Sequence, residues 1–427
     1  MITRRSAVFG GGAGALAMAA RPAIAQARAI EVWSLESPGE GNVVARAIAH
    51  VVKGFEAAHP GVELKITSMP WQQLSPTLLR ASRARRVPDV AMFYSPDLPV
   101  QIDARTVMPL TGFMAGWPED KRADILRLRQ AQDAAGVIYG LPWQVRTSGL
   151  FYRADLLEKA GRQPPRTLAE WSDAAAAAQG GDVVGMALGF NPGAASVAAG
   201  WFLTTQLGLG AGVLKADGSP DFASPQAERI VQWVFEQVHG RHPPTLPLDV
   251  ALQDGEKEHD LFSARRLVFL PSSSDRHPRL LAQSGLPFEA IGMTRYPTDD
   301  AAVPAPALVQ SWNLTIPVGA KSPDLAWEFI DHWTSTAEQV EGCRIAGFVP
   351  ARRSALRDPF FDQPQARIIR FATEYAADHP MRFDFPVNTS ALYDTWVRMF
   401  GRVLNQELDA RGGLQWAEAD YVQRRRG

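Results

Sequence analysis

The chain has 427 residues, with 44 Lys+Arg against 45 Asp+Glu, 46% hydrophobic residues and a single cysteine. Apolar content this high with a net charge of −1 excludes a disordered chain, and neither a basic nor an acidic excess points to nucleic acid or a solvating tail. The lone Cys343 excludes an intrachain disulfide and a cysteine metal cage, and at about 150 residues per domain the length predicts two or three domains.

Residues 1–27 read as an export peptide. Arg4 and Arg5 precede the uncharged run Ser6 to Ala20, and Ala23-Ile24-Ala25 supplies an A-x-A cleavage site. Thr3-Arg4-Arg5 with Phe9 resembles a twin-arginine signal, with Ala7-Val8 standing where the usual Phe-Leu follows the arginines. The apolar run falls short of the roughly 20 residues a span needs, and Gly10 to Gly14 follows no strand, so neither an anchor nor a nucleotide loop is expected. Cleavage after Ala25 removes Arg4, Arg5 and Arg21 and no acid, so Lys+Arg falls to 41 against 45 acids, about −4 at neutral pH. No cysteine stands at that site to take a lipid, which predicts a protein free in a periplasm.

Strands and helices then alternate. Ala29 to Leu35 predicts a strand, Asn42 caps a helix with Val43, Ala47, Val51 and Phe55 on one face, and Pro60-Gly61 ends it. Val62 to Thr67 alternates as a strand, Trp71 to Arg86 is helical, and Asp89 to Phe93 is a buried strand. This βαβαβ order predicts an α/β fold with mostly parallel sheets flanked by helices, and ligands in such sheets bind beyond the carboxyl ends of the strands. Further on, Gly136 to Pro142 predicts a turn and strand, Gly149 to Tyr152 another strand, and Thr167 with Glu170 a capping box before Trp171. Val183 to Leu214 carries no charge, but Asn191-Pro192-Gly193 and scattered glycines break it, so a buried strand, a loop and a core helix are expected there in place of a membrane span.

These residues carry a resemblance. Phe55-Glu56-Ala57-Ala58-His59-Pro60-Gly61-Val62, Met69-Pro70-Trp71, Val87-Pro88-Asp89-Val90 and Tyr139-Gly140-Leu141-Pro142-Trp143 are similar to the family 1 extracellular solute-binding proteins of ABC importers. So are Leu150 to Gly161, Thr167 to Trp171, Ala326 to Ile330 and Gly347-Phe348-Val349-Pro350-Ala351-Arg352, in order along nearly the whole chain. The resemblance implies the two-lobed, type II periplasmic-binding-protein fold, with a hinge crossed about three times, near 144–147, 312–316 and 357–364. Lobe 1 is then expected over 28–143 and 315–357, and lobe 2 over 144–314 and 358–427. It further implies a monomer that encloses one small solute and delivers it to ABC permease subunits of the inner membrane, with no cofactor, no metal and no nucleic-acid partner.

Twelve tryptophans suit a carbohydrate, because the C–H faces of a sugar pack on flat rings while its hydroxyls need fixed polar groups. Trp33, Trp71, Trp143 and Trp312 fall at strand ends or crossings, whereas Trp171, Trp233, Trp327 and Trp396 sit at helical spacing and read as core. By the resemblance, the solute also meets Glu36, Ser37, Tyr94, Ser95, Asp97, Gln144, Arg146, Asn313, Phe348 and Arg352, with a structural ion pair as the other reading of Arg352. After the strand Leu267 to Leu270 the family often has Gly and Trp, but here the run is Pro271-Ser272-Ser273-Ser274-Asp275-Arg276. Three hydroxyls, neighbouring backbone N–H groups and Arg276 suit an oxyanion, and Arg146 points the same way, so an anionic sugar derivative or glycerophosphate-like ester stands as the alternative to a neutral sugar or polyol. A secreted glycosidase is disfavoured because no opposed carboxylate pair is visible, and neither HExxH nor Gly-x-Ser-x-Gly occurs.

Overall fold

A computed structural model describes residues 28–126, 128–191, 195–253, 257–381, 383, 385–386 and 389–425. The export-peptide expectation for residues 1–27 lies outside them.

Eight strands are described: β1 (Arg28–Ser34), β2 (Val62–Ser68), β3 (Val90–Tyr94), β4 (Leu141–Arg153), β5 (Val184–Met186), β6 (Leu267–Ser273), β7 (Ile291–Thr294) and β8 (Val309–Thr315). They pair in the order β2-β1-β3-β8-β4-β6-β5, with β7 also on β4. The βαβαβ start forms as its pattern predicts, with β1 parallel to both β2 and β3. Beyond it the expectation of mostly parallel sheets fails. β8 runs antiparallel to β3 and β4, β4 runs antiparallel to β6 and β7, and only β5 and β6 restore a parallel pair. β5, β6, β7 and β8 share one direction while β3 and β4 share the other, so the antiparallel pairs arise where β8 lies between β3 and β4 and where β4 meets β6 and β7.

The two short strands expected around residues 136–142 and 149–152 are one strand of 13 residues, β4. Its first half, Leu141 to Thr147, pairs with β8, and its second half pairs with β6 and β7. Two hydrophobic cores lie along it. Val32, Phe55, Phe93, Val145, Val309, Leu314 and Phe329 belong to the first, and Leu150, Trp171, Trp201, Phe269, Trp396 and Phe400 to the second. The chain leaves the first core between Val145 and Leu150 and returns between Ala305 and Ala307. It passes again along the helix Arg367–Asp378, where Ile368 packs in the second core and Ile369, Ala372 and Tyr375 in the first.

Local chemistry starts the helices where the caps stand. Asn42 Oδ1 accepts from Ala45 N at 2.9 Å ahead of Val43–Ala58, and Ser224 Oγ accepts from Ala227 N at 3.2 Å ahead of Pro225–His239. Thr167 Oγ1 accepts from Glu170 N at 3.1 Å, while the Glu170 carboxylate reaches back to Arg166 N at 2.7 Å. The uncharged stretch becomes β5 and the helix Ala195–Gly208, with Trp201, Phe202 and Leu203 wholly buried. No helix among the described residues is long and apolar enough to cross a membrane.

Candidate functional site

Residues paired directly across a sheet share a face. Tyr94 on β3 pairs with Trp312 on β8, and Trp312 with Gln144 on β4; two residues along, Gln310 pairs with Arg146. Two residues further, Ser148 on β4 pairs with Ser273 on β6. One face of the continuous sheet therefore carries Tyr94, Trp312, Gln144, Gln310, Arg146 and Ser273 where β4 passes from one core to the other.

The aromatic side of this face is a row. Trp71, at the first position of the helix Trp71–Arg83, meets the Tyr94 ring edge-on at 6.0 Å, and Tyr94 lies 5.3 Å from the Trp312 ring at 34°. The polar side is a matched charge pair. Arg146 Nε stands 3.8 Å from Asp275 Oδ1, its guanidinium lies 5.4 Å over the Tyr94 ring, and Gln144 Nε2 donates to Asp275 Oδ2 at 3.4 Å. Arg146 is 12% exposed and Asp275 13%, so both charges are largely withdrawn from water and offset one another. Burial would raise the Asp275 carboxyl, but Arg146 and Arg276 outweigh it and hold it below the usual range. Burial pushes the Tyr94 phenol up to about 12 against the pull of Arg146. Tyr393, on the helix Thr389–Leu404, is raised by burial beside Tyr94 and Arg146, and its hydroxyl has no hydrogen-bond partner among the described residues.

Other expected residues take different places, and strand alternation accounts for several. Trp33 pairs with Ala91, an odd step from Tyr94, so it faces away from the row; its indole donates to Glu31 Oε1 at 2.9 Å. Trp143 occupies a bulge between Pro142 and Gln144 and turns into the first core, 5.2 Å from Trp333 and 5.1 Å from Phe348. That contact makes Phe348 core as well, at 2% exposure. Asn313 is fully buried, donating to Phe93 O at 3.4 Å and accepting from Ser311 Oγ at 3.3 Å. Ser95 Oγ accepts from Ser311 N at 3.1 Å, so it ties β8 to the end of β3.

Arg352 has the structural role. Its Nη1 is 3.6 Å from Asp124 Oδ2, Nε donates to Thr334 O, and its guanidinium lies 5.5 Å from the Trp117 ring, away from the Arg146 group.

The serine run is not an oxyanion cradle. Ser272 points to the opposite face, where its hydroxyl meets His259 Nε2 at 2.8 Å, and Ser274 Oγ accepts from Thr147 N at 3.2 Å. Of the three, Ser273 alone lies on the site face, next to an aspartate.

Glu36 and Ser37 lie in the loop between β1 and the helix Val43–Ala58. Asn42 Nδ2 donates to Glu36 Oε2 at 2.9 Å, and Glu40 accepts from Ser37 N at 2.9 Å and from Ser68 Oγ at 2.5 Å. Burial raises the Glu36 carboxyl, opposed by the charge of Arg279 from the helix His277–Ser284, while the hydrogen bond from Glu36 lowers Glu40 to about 2. Asp97 follows Tyr94 on a short 3-10 turn, and burial pushes its carboxyl up to about 6.

Asp275, Gln310 and Tyr393 were not among the expected contacts. Gln310 was open to period-two reasoning from Trp312, whereas Tyr393 sits in an ordinary aromatic helix stripe with Trp396 and Phe400. Among the described residues no group of three or more His, Cys, Asp or Glu is placed to hold a metal ion.

The bacterial extracellular solute-binding protein family matches residues 50–367. A Brucella abortus (strain 2308) protein named as a binding protein is 28% identical over 183 residues, a match spanning 42% of this chain and 43% of that relative's length. The GacH receptor of Streptomyces glaucescens, solved unliganded and with acarbose, shares the fold at TM-score 0.78 and 18% identity, covering 93% of this chain and 98% of its own. The maltose-bound MalE3 of T. maritima does so at TM-score 0.79 and 19% identity, covering 93% and 100%. A family match over most of the length, on a fold with two cores threaded by one strand, establishes that the chain belongs to the bacterial extracellular solute-binding proteins.

Proposed function

We propose that this protein is the exported, unanchored solute-binding component of an ABC importer, working as a monomer in the periplasm. It captures a neutral sugar or polyol between two lobes and presents the closed form to a membrane permease. The observation that carries the reading is the aromatic row Trp71, Tyr94 and Trp312 beside a charge-balanced Arg146 and Asp275. Flat rings take the C–H face of a sugar, while a guanidinium donates to ring hydroxyls and a carboxylate accepts from them. Because Arg146 already faces a carboxylate, an added anion must compete with Asp275 for it, which favours the neutral solute over the anionic one. The acarbose and maltose complexes of the structural neighbours support the same solute class. The lobes follow the two cores, with β8 in lobe 1 and the chain passing between them in β4, near Pro306 and along Arg367–Asp378.

The test is a melting panel of neutral sugars, polyols, phosphate esters and sulfonates. A true solute at 100 times its Kd adds about 2.7 kcal/mol by mass action. Stabilisation by neutral members is expected. Stabilisation by anionic members alone would overturn the neutral assignment, and no shift from any member would overturn the solute-binding reading.

A further inference from the structure

The two lobes touch at a point where a side chain is missing. Gly347 ends the helix Thr336–Ala346 in the left-handed region at φ 71°, its N–H donating to Cys343 O at 2.8 Å. Directly against it stands Pro278, in the first turn of the helix His277–Ser284. The Gly347 side belongs to the first core through Ala346 and Phe348, and the Pro278 side to the second through Leu280. A Cβ placed on Gly347 would overlap Pro278 Cγ and come within 2.9 Å of its Cδ.

Neither partner can yield cheaply. The residues after Gly347 are bound to β4, with Val145 and Val349 exchanging backbone hydrogen bonds of 3.0 and 3.3 Å, while Phe348 packs on Trp143. Pro278 is a closed ring with no rotamer to leave by, and its neighbour His277 stacks on Phe151 at 7°. The same segment carries Asp275 three residues before Pro278, and Arg279, whose charge reaches Glu36 in the loop after β1. Movement of this helix away from Gly347 therefore carries Asp275 away from Arg146 and Gln144.

We propose that Gly347 is a positioning residue for solute capture: its bare Cα lets Pro278 seat against lobe 1, and this contact is the stop that sets how far the cleft closes. The proposal rests on the lobe-closure reading above. A methyl at position 347 wedges the lobes apart beside β4, close to the pivot, where a small displacement becomes a wide opening at the rim. Since the apparent affinity scales with the fraction of closure-competent protein, a tenfold loss of that fraction weakens binding about tenfold.

The substitution has two effects that must be separated, because a residue other than glycine at positive φ is strained in itself. Removing the Pro278 ring separates them. Pro278→Ala deletes Cγ and Cδ and leaves a Cβ at 3.5 Å from the new methyl, an ordinary contact, while the strain at position 347 stays. Gly347→Asn supplies the second variant, since asparagine tolerates the left-handed region yet still carries the obstructing Cβ.

The experiment places spin labels at the exposed Lys53 and Ala176, one on each lobe, through cysteine substitutions; the native Cys343 is buried and its thiol is raised by burial. Distances are read free and with each solute that stabilises the wild type. Wild type is expected to show the short distance in at least one state. Gly347→Ala and Gly347→Asn should lengthen it and weaken binding about tenfold. Adding Pro278→Ala should restore distance and affinity without recovering the Tm lost by Gly347→Ala. An unchanged distance in both Gly347 variants, a failure of Pro278→Ala to restore it, or a wild type that never shows it would overturn the proposal. A wild type that closes but responds to no panel member would overturn the solute reading alone.

Discussion

Removing the Asp275 carboxylate is the sharpest perturbation of the site, because it leaves the Arg146 guanidinium 12% exposed with its matching charge gone. At 3.8 Å and an effective dielectric near 20, the gross attraction between the pair is about 4 kcal/mol. Breaking a buried pair from one side costs about 3–5 kcal/mol, and the residual water access and long separation here put Asp275→Ala at the lower end, about 3 kcal/mol. For a lobe of this size that is a Tm loss of roughly 6–12 °C. Replacing both partners removes the stranded charge, so Arg146→Met with Asp275→Ala should return to within about 1 kcal/mol of wild type. Affinity is expected to behave differently, since on the proposed function each charge also meets solute hydroxyls. Both single variants and the double should bind more weakly, each lost charge-assisted bond costing about 1.5–3 kcal/mol. Denaturant unfolding and titration calorimetry on the four proteins of the cycle measure both quantities. A cost under about 1 kcal/mol for Asp275→Ala, with no recovery in the double variant, would refute the paired-charge account. The pH dependence has a definite sign: Asp275 is depressed in the folded state, so its contribution is present above the ordinary aspartate range and fades as pH falls through the folded value.

Asp97 behaves oppositely. Its folded carboxyl, at about 6 against an ordinary 3.8, favours the protonated native state, so stability should fall by about 2–3 kcal/mol as pH rises from about 4 to 6. Asp97→Asn should flatten that slope in melting curves taken across the range, and an unaltered slope would count against the buried carboxyl. Arg352→Ala should lower stability by about 2–4 kcal/mol, because Asp124 and the Thr334 carbonyl lose a buried partner, while solute affinity measured by calorimetry stays within about twofold. A selective loss of affinity would return Arg352 to the site.

Much of the architecture was open to local reasoning. The βαβαβ start, the Asn42, Thr167 and Ser224 caps and the core reading of Trp171, Trp233 and Trp396 all follow from residues that interact within a turn or a strand of one another. The site was open only in part. Tyr94 and Trp312 are named by expected strand ends or crossings and Gln144 and Arg146 by the resemblance, but Trp33 and Trp143 are named on the same grounds. What separates them is register: one step of strand pairing, or one bulge at Trp143, turns a ring from the face that carries Tyr94 and Trp312 to the other side. The serine run divides for a related reason: Ser272 and Ser273 point to opposite faces of β6, Ser274 begins the following 3-10 turn, and two of the hydroxyls already meet His259 and Thr147.

By itself, then, the sequence determined the elements whose chemistry is local: the alternating α/β pattern, the helix starts, the apolar faces, and a family resemblance spread over the whole chain. Tertiary structure alone decided that one strand of 13 residues serves both cores and that Arg146 meets Asp275 across 129 positions of chain. It also decided that Tyr393 reaches the same centre from the last third of the molecule, and that Gly347 stands against Pro278. The physical reason is that pairing register and lobe packing are set by contacts between distant segments, whose energies no local window of residues contains.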